Sequence, residues 1–338
     1  MTALIAPEQL LEMVAEPNLA DAGIADVSAL ALDLRNVGFS EQEAREVRHW
    51  LARQPYPILG WLPETSQRAS SQLIPELDLT LTSEAEIESV LHHIQRNPLA
   101  TAVLAQVTRV TATLPIAAAL AVESLGYATL QSGAEFARWL TDYQQTKKPS
   151  STTDAQAPVL VEREGAVLRI QLNSPGNRNA LSVSMRDGLT EAFKLVALDG
   201  SIERVVVSGT GSCFSAGGDL TEFGTAKDLA VAHHIRQLRM PAQYLAPHAA
   251  RYCINVHGAC IGAGIELPAF ARRLTAKPDS FFQLPEIAMG LIPGAGGCVS
   301  IPRRIGRQRA NYLAITGEKL SAERALSWGL IDEIVDQD

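Results

Sequence analysis

An α/β fold built on a largely parallel sheet is predicted for residues 158–338, because short β-type runs alternate there with helical stretches. A helical region is predicted upstream, because residues 83–147 carry apolar side chains at spacings of three and four, as at Leu104, Val107, Val110 and Leu114. Between the two lies Lys147-Lys-Pro-Ser-Ser-Thr-Thr-Asp-Ala-Gln-Ala-Pro158, where that periodicity stops and small polar residues and prolines take over, as in a linker.

The 338 residues suffice for one large domain or two ordinary ones, and a hydrophobic content of 46% supports a buried core. A formal net charge of −8 with no block of Lys or Arg argues against a surface that tracks nucleic-acid phosphates. The opening Met1-Thr-Ala-Leu-Ile-Ala-Pro carries no basic leader, and no apolar run approaches the roughly 18–20 residues of a membrane span. A cytoplasmic location is therefore expected, with neither nucleic acid nor membrane as partner. Cys213, Cys253, Cys260 and Cys298 form no CxxC pair and no His/Cys ligand spacing, so free thiols are expected rather than a disulfide framework or a zinc site.

Residues 1–73 are the least legible, with a strand expected at 29–34 and a helix at 41–52, followed by Pro55, Pro57 and Pro63. Ser83 and Glu86 have the spacing of a capping box and open a helix over 83–96. Further helices are expected over 99–131, interrupted near Pro115, and over 133–147. Downstream, 159–162 and 166–172 read as a hairpin, 204–208 and 252–256 as buried strands, and 183–198 and 225–246 as helical stretches. No repeat of solenoid length is present.

Two glycine-rich loops each follow an expected strand: Ser212-Cys-Phe-Ser-Ala-Gly-Gly-Asp-Leu220 and Asn255-Val-His-Gly-Ala-Cys-Ile-Gly-Ala-Gly-Ile-Glu-Leu267, the second entering a helix near Ala263. Glycine lets a chain turn sharply and lets other atoms approach its N–H. Free N–H groups at a helix start carry partial positive charge and suit a developing oxyanion. A tight turn alone would account equally well for either loop. Gly209-Thr-Gly211 also follows a strand, but the third glycine of a dinucleotide-binding pattern would fall at Phe214 and no helix opens there. A P-loop is excluded because neither loop ends in Gly-Lys-Ser/Thr.

Phe214-Ser-Ala-Gly-Gly-Asp219, His257-Gly-Ala-Cys-Ile-Gly-Ala-Gly-Ile-Glu266, Gln283-Leu-Pro-Glu-Ile287 and Gly290-Leu-Ile-Pro-Gly-Ala-Gly-Gly297 closely resemble the enoyl-CoA hydratase/isomerase (crotonase) family, in its order and spacing. Leu172-Asn-Ser-Pro-Gly-Asn-Arg-Asn-Ala-Leu-Ser182 resembles the family's first CoA-contacting segment, and the stretch from Thr316 to Val335 its late helix-and-strand unit. The resemblance implies a crotonase-like core, a spiral of ββα units, over 151–338. The helices that follow that late unit in the family resemble Asn97-Pro-Leu-Ala, Leu114–Glu123 and Gly133–Leu140, so the order implied is that of a circular permutation, with 74–150 as the moved helical region and 1–73 as an extension of unclear role. An unrelated helical domain is the alternative. Val27–Leu34 and Trp50–Gly60 leave open a remnant of a second core copy.

The activity implied is hydration of an enoyl-CoA, which develops negative charge on the thioester oxygen and needs a base for water and an acid for the α-carbon. Carried over from the family, the N–H groups of Gly218 and Ala263 would form the oxyanion hole, Glu266 would mainly activate water and Glu286 would mainly serve the α-carbon. Arg178, Ala180, Ala216, Gly217, Asp219, Leu220, Gly262, Pro285 and Gly294 would contact the CoA thioester. Both glutamates also suit helix starts, a purely structural alternative. His257 is read as packed near the site, Asp219 and Glu222 as capping or solvating the loop, and Arg178, Lys147 and Lys148 as possible phosphate partners or ordinary surface cations. Thr146 stands where many relatives have lysine. No metal or redox cofactor is implied, coenzyme A enters as part of the substrate, and a homotrimer or hexamer is expected. The other readings are an enoyl-CoA isomerase, an acyl-CoA thioester hydrolase, or a catalytically silent acyl-CoA-binding protein.

Overall fold

The structure, a computed structural model, describes residues 4–15, 28–35, 37–62, 73–146 and 157–336. Of the expected linker at 147–158, residues 147–156, with Lys147 and Lys148, lie outside them.

The chain opens with α1 (Pro7–Ala15), β1 (Leu30–Asp33), α2 (Glu41–Leu51), β2 (Ile58–Trp61) and β3 (Leu79–Leu81), and the three strands pair in parallel in the order β1-β2-β3. Successive side chains of a strand leave on opposite faces. Ile58 therefore joins Leu10, Leu32, Val47 and Leu51 on one side, while Leu59 and Leu79 enter the main core on the other. With both faces covered, these strands read as short apolar runs without alternation.

Helix α3 (Glu84–Arg96) starts at the expected capping box: Ser83 Oγ accepts from the Glu86 amide at 3.3 Å and Glu86 accepts from the Ser83 amide at 3.3 Å. Pro98 opens α4 (Pro98–Thr111), and Pro115 separates it from α5 (Ile116–Gln131), which is followed by α6 (Ala134–Thr146). The interruption expected near Pro115 is present.

The rest is an α/β core. Its elements are β4 (Val159–Glu164), β5 (Val167–Leu172), α7 (Val183–Leu198), β6 (Arg204–Gly209), α8 (Leu229–Arg239), α9 (Ala242–Leu245), β7 (Tyr252–Val256), β8 (Ala259–Ile261), α10 (Ala263–Glu266), β9 (Arg273–Ala276), β10 (Phe281–Gln283), α11 (Gly297–Ile305), α12 (Arg307–Thr316), β11 (Leu320–Ser321), α13 (Ala322–Trp328) and β12 (Glu333–Ile334). Six strands form one sheet in the order β12-β9-β7-β6-β5-β4, parallel except for the β4–β5 hairpin. A second sheet, β11-β10-β8, lies beside the functional loops. The helix expected over 225–246 divides at Pro241, because the residue before a proline avoids the helical region and Met240 is extended.

Helices α4 and α5 pack on α11, α5 also packs on α8, and α6 packs on the turn that carries residues 286–289. The helical region is thus part of the wall around the glycine-rich loops rather than a separate body. Asp78 ties the N-terminal sheet to it: fully buried, it accepts from the Ile58 amide at 2.8 Å and forms ion pairs with Arg109 of α4 and Arg307 of α12. Among the described residues, no helix is long and apolar enough to cross a membrane.

Candidate active site

The two glycine loops are pressed against each other because their glycines lack side chains. A Cβ on Gly217, whose φ is +89°, would come within 2.7 Å of the Ile261 carbonyl oxygen, and one on Gly264 within 2.6 Å of the Ser215 carbonyl oxygen. Buried Asn179 pins the first loop from behind, donating through Nδ2 to the carbonyls of Thr210 (2.8 Å) and Cys213 (3.2 Å), while Ser215 Oγ donates to the Asn179 carbonyl at 2.8 Å. The loops bring Gly218 and Ala263 to the wall of one cavity of about 390 Å³. Neither amide donates to an acceptor among the described residues. Ala263 begins α10 at an ordinary negative φ, so its Cβ is tolerated there.

Glu266 and Glu286 line the same cavity. Both side chains face Gly262: a methyl group there would collide with Glu286 Oε1 and lie 3.7 Å from Glu266 Oε1. Only glycine fits, and its φ of +49° agrees. Glu266 is 2% exposed, and its Oε2 accepts from the amides of Ala295 at 2.7 Å and Gly297 at 2.9 Å. Burial raises its pKa to about 7, against the lowering effect of those two amides. Glu286 is pushed well above the usual carboxylate range, first by burial and then by the neighbouring Glu266, and its Oε2 is buried with no partner among the described residues.

Asp219 and Gly294 also line this cavity. Asp219 accepts from the Thr221 amide and hydroxyl, and Glu222 from the Val183 amide, so both cap turns as expected. Arg178, Ala180, Ala216, Gly217, Leu220 and Pro285 are not in the cavity wall. Several brace it: the Arg178 carbonyl accepts from the Ala216 amide at 3.0 Å, and the Gly217 carbonyl from the Leu181 amide at 2.7 Å. Arg178 itself takes a left-handed turn at φ +58°. His257 lies outside the cavity, hydrogen-bonded through Nε2 to the Gly211 carbonyl at 3.0 Å. Among the described residues no group of His, Cys, Asp and Glu is placed to hold a metal ion.

Two wall residues, Tyr127 and Arg236, and one residue behind the wall, Glu123, come from parts of the chain where the sequence pointed to no chemistry. Glu123 of α5 is buried, with Oε1 accepting from the Gly296 amide at 2.7 Å and Oε2 from the Cys298 amide at 2.8 Å. Its pKa is raised well above the usual range by burial and then by Glu266. The signal available was an acid one turn after Ala119 on an otherwise apolar helix face. Tyr127, a turn further along α5, lines the cavity and packs on Gly294, and Arg236 of α8 lies across its ring. Tyr127 and Arg236 carry no sequence pattern that separates them from ordinary amphipathic helix residues.

Residues 162–338 match the family model described as enoyl-CoA hydratase/isomerase. The chain is 33% identical over 180 residues to 2,3-dehydroadipyl-CoA hydratase of Escherichia coli K12, covering 53% of this chain and 70% of that protein. It is 32% identical over 180 residues to the mitochondrial Delta(3,5)-Delta(2,4)-dienoyl-CoA isomerase of Mus musculus, covering 50% of this chain and 55% of that protein. A candidate enoyl-CoA hydratase/isomerase structure from Mycobacterium abscessus is 30% identical and superposes with a TM-score of 0.50 over 53% of this chain and 71% of its own. The matched region carries both glycine loops and both cavity glutamates, and the chain accordingly belongs to the enoyl-CoA hydratase/isomerase family.

Proposed function

We propose that the protein hydrates the 2,3 double bond of an enoyl-CoA thioester. The observation that carries this reading is the sharing of one cavity by two free amides, Gly218 and Ala263, and two carboxyls, Glu266 and Glu286. Water attacks the β-carbon while Glu266 takes one of its protons; the π electrons move to the thioester oxygen, where the two amides hold the enolate. Glu286 then gives its proton to the α-carbon as the carbonyl re-forms. Transfer of the proton from Glu266 to Glu286 restores the starting state, and the net change is addition of one water. The division of labour follows from environment: two amides favour the Glu266 anion, whereas Glu286 has an unpartnered buried oxygen and stays protonated. This chemistry requires no metal or redox group. The remaining elements of the reading are α3–α6 as a permuted counterpart of helices that follow the core in relatives, a trimer or hexamer, and a cytoplasmic location.

Incubation with a trans-2-enoyl-CoA should yield the 3-hydroxyacyl-CoA, read by loss of enoyl absorbance and by product mass. The second reading is an isomerase, favoured by relatives at about 30% identity that are named for dienoyl-CoA isomerisation. Double-bond migration without mass gain would establish it instead, and release of free CoA would mark a thioester hydrolase. Binding without any turnover would leave a silent acyl-CoA-binding protein.

A further inference from the structure

Arg236 stands in the wall of the cavity that holds Glu266 and Glu286, and its hydrogen-bond and ring partners among the described residues are uncharged, the Glu123 carboxyl acting on it only from beyond ion-pair distance. Its Nε donates to Ser124 Oγ at 3.0 Å, its Nη1 donates to Gln131 Oε1 at 3.2 Å, and its guanidinium carbon lies 4.8 Å from the centroid of the Tyr127 ring. No carboxylate among the described residues pairs with it, and Nη2 is buried with no partner among them. A guanidinium keeps its charge at any accessible pH, and a charge withdrawn from water is costly unless an opposite charge meets it. Gln131, whose Oε1 is engaged by Arg236, keeps its Nε2 as a second donor on the same wall. Tyr127 packs on Gly294, one residue before the amide that holds Glu266, and Arg236 lies across the same ring. The wall thus runs from the carboxyl pair past Tyr127 to an unpaired cation.

We infer that Arg236 and Gln131 receive a carboxylate at the far end of the acyl chain, so that the substrate class is the CoA thioester of an unsaturated dicarboxylic acid. This rests on the hydratase reading above. A planar guanidinium with a bare N–H suits a carboxylate, whereas a methyl terminus would leave that charge unmet. The competing account is that Arg236 only offsets the negative charge of Glu123, Glu266 and Glu286, which would act on all substrates alike.

The test compares trans-2-enoyl-CoA pairs of five to eight carbons that differ only in a terminal carboxylate or methyl group. The wild-type protein is expected to favour the acid at least tenfold in kcat/KM at one chain length, Arg236→Met to lower that ratio below one, and Arg236→Lys to give a value between. A wild-type preference for the methyl terminus at every length, or an Arg236→Met variant that leaves the ratio unchanged, overturns the inference. If no enoyl-CoA is turned over, the hydratase reading fails separately. Calorimetric binding of the saturated pair, dicarboxylic against monocarboxylic, then decides the inference: tenfold tighter binding of the acid upholds it and equal binding overturns it.

Discussion

Glu123 and Glu266 alternate along one run of backbone: Glu266 takes the amides of Ala295 and Gly297, and Glu123 takes those of Gly296 and Cys298. The two carboxyls come from helices more than a hundred residues apart and meet at the start of α11, where free amides and the helix dipole both favour negative charge. One oxygen of Glu266 is thereby immobilised, while Oε1 faces Glu286 across Gly262. Glu123 does not need to touch substrate to matter. It holds the backbone that holds the base.

Replacing Glu123 with Gln sets an amide NH₂ against one of the two N–H groups, and an unmatched buried polar group costs about 1–3 kcal/mol. Urea unfolding should show a loss of that size, larger for Glu123→Ala. We expect kcat on an enoyl-CoA to fall about tenfold or more with KM little changed, because the 295–298 run no longer fixes Glu266. A stability loss with unaltered kcat would confine Glu123 to folding.

Glu266→Gln and Glu286→Gln should each lower kcat by about 10²–10⁴ while binding of a saturated acyl-CoA stays within a few fold. The double variant should be little worse than either single one, since loss of either group already blocks the same overall addition of water. Single-turnover rates beside equilibrium binding would check both statements, and turnover that survives in both single variants would exclude the carboxyl pair as acid and base.

The pH dependence has a defined sign. The unfolded Glu266 carboxyl ionises near 4.5 and the folded one near 7, so between those values the folded state holds more protons than the unfolded state. Unfolding free energy should therefore fall as pH rises from about 4.5 to about 7, and Glu266→Gln should flatten that part of the profile. Activity should move the other way over the same interval, because the base must be ionised: kcat/KM should rise on an acid limb near pH 7. At higher pH it should decline as the strongly raised Glu286 loses its proton.

Asp78 carries a separate prediction. Removing it leaves Arg109 and Arg307 without their buried counter-ion, so Asp78→Ala should destabilise by about 3–5 kcal/mol. Because those arginines belong to α4 and α12, fluorescence and far-UV circular dichroism should report one coincident transition at a lower urea concentration. Early loss of the N-terminal sheet alone would mean that the cluster does not couple it to the core.

Much of this architecture was legible because it rests on local chemistry. The Ser83–Glu86 box, the break at Pro115, the hairpin of β4 and β5 and the loop-to-helix step at Ala263 each depend on residues within a turn or two of one another. The strands β2, β3, β8 and β10 were not legible: each has three or four residues, too few for a period to register, and each is held by partners distant in sequence. In the site, Glu266 and Glu286 stood out because they sit in recognisable motifs, while Glu123, Tyr127 and Arg236 sit in helices whose pattern reports only amphipathicity.

The amino-acid sequence alone determined which segments turn, which become helices, and that two glycine loops and two glutamates follow each other in a family's order. Only the tertiary structure decided that α5 and α8 close the cavity, that a third carboxyl clamps the run at the start of α11, and that Arg236, unpaired with any carboxylate among the described residues, stands in the same wall. The physical reason is range. Turn and cap preferences are settled between neighbours along the chain, whereas burial, raised pKa values and unmet charge arise only when distant segments exclude water from the same volume.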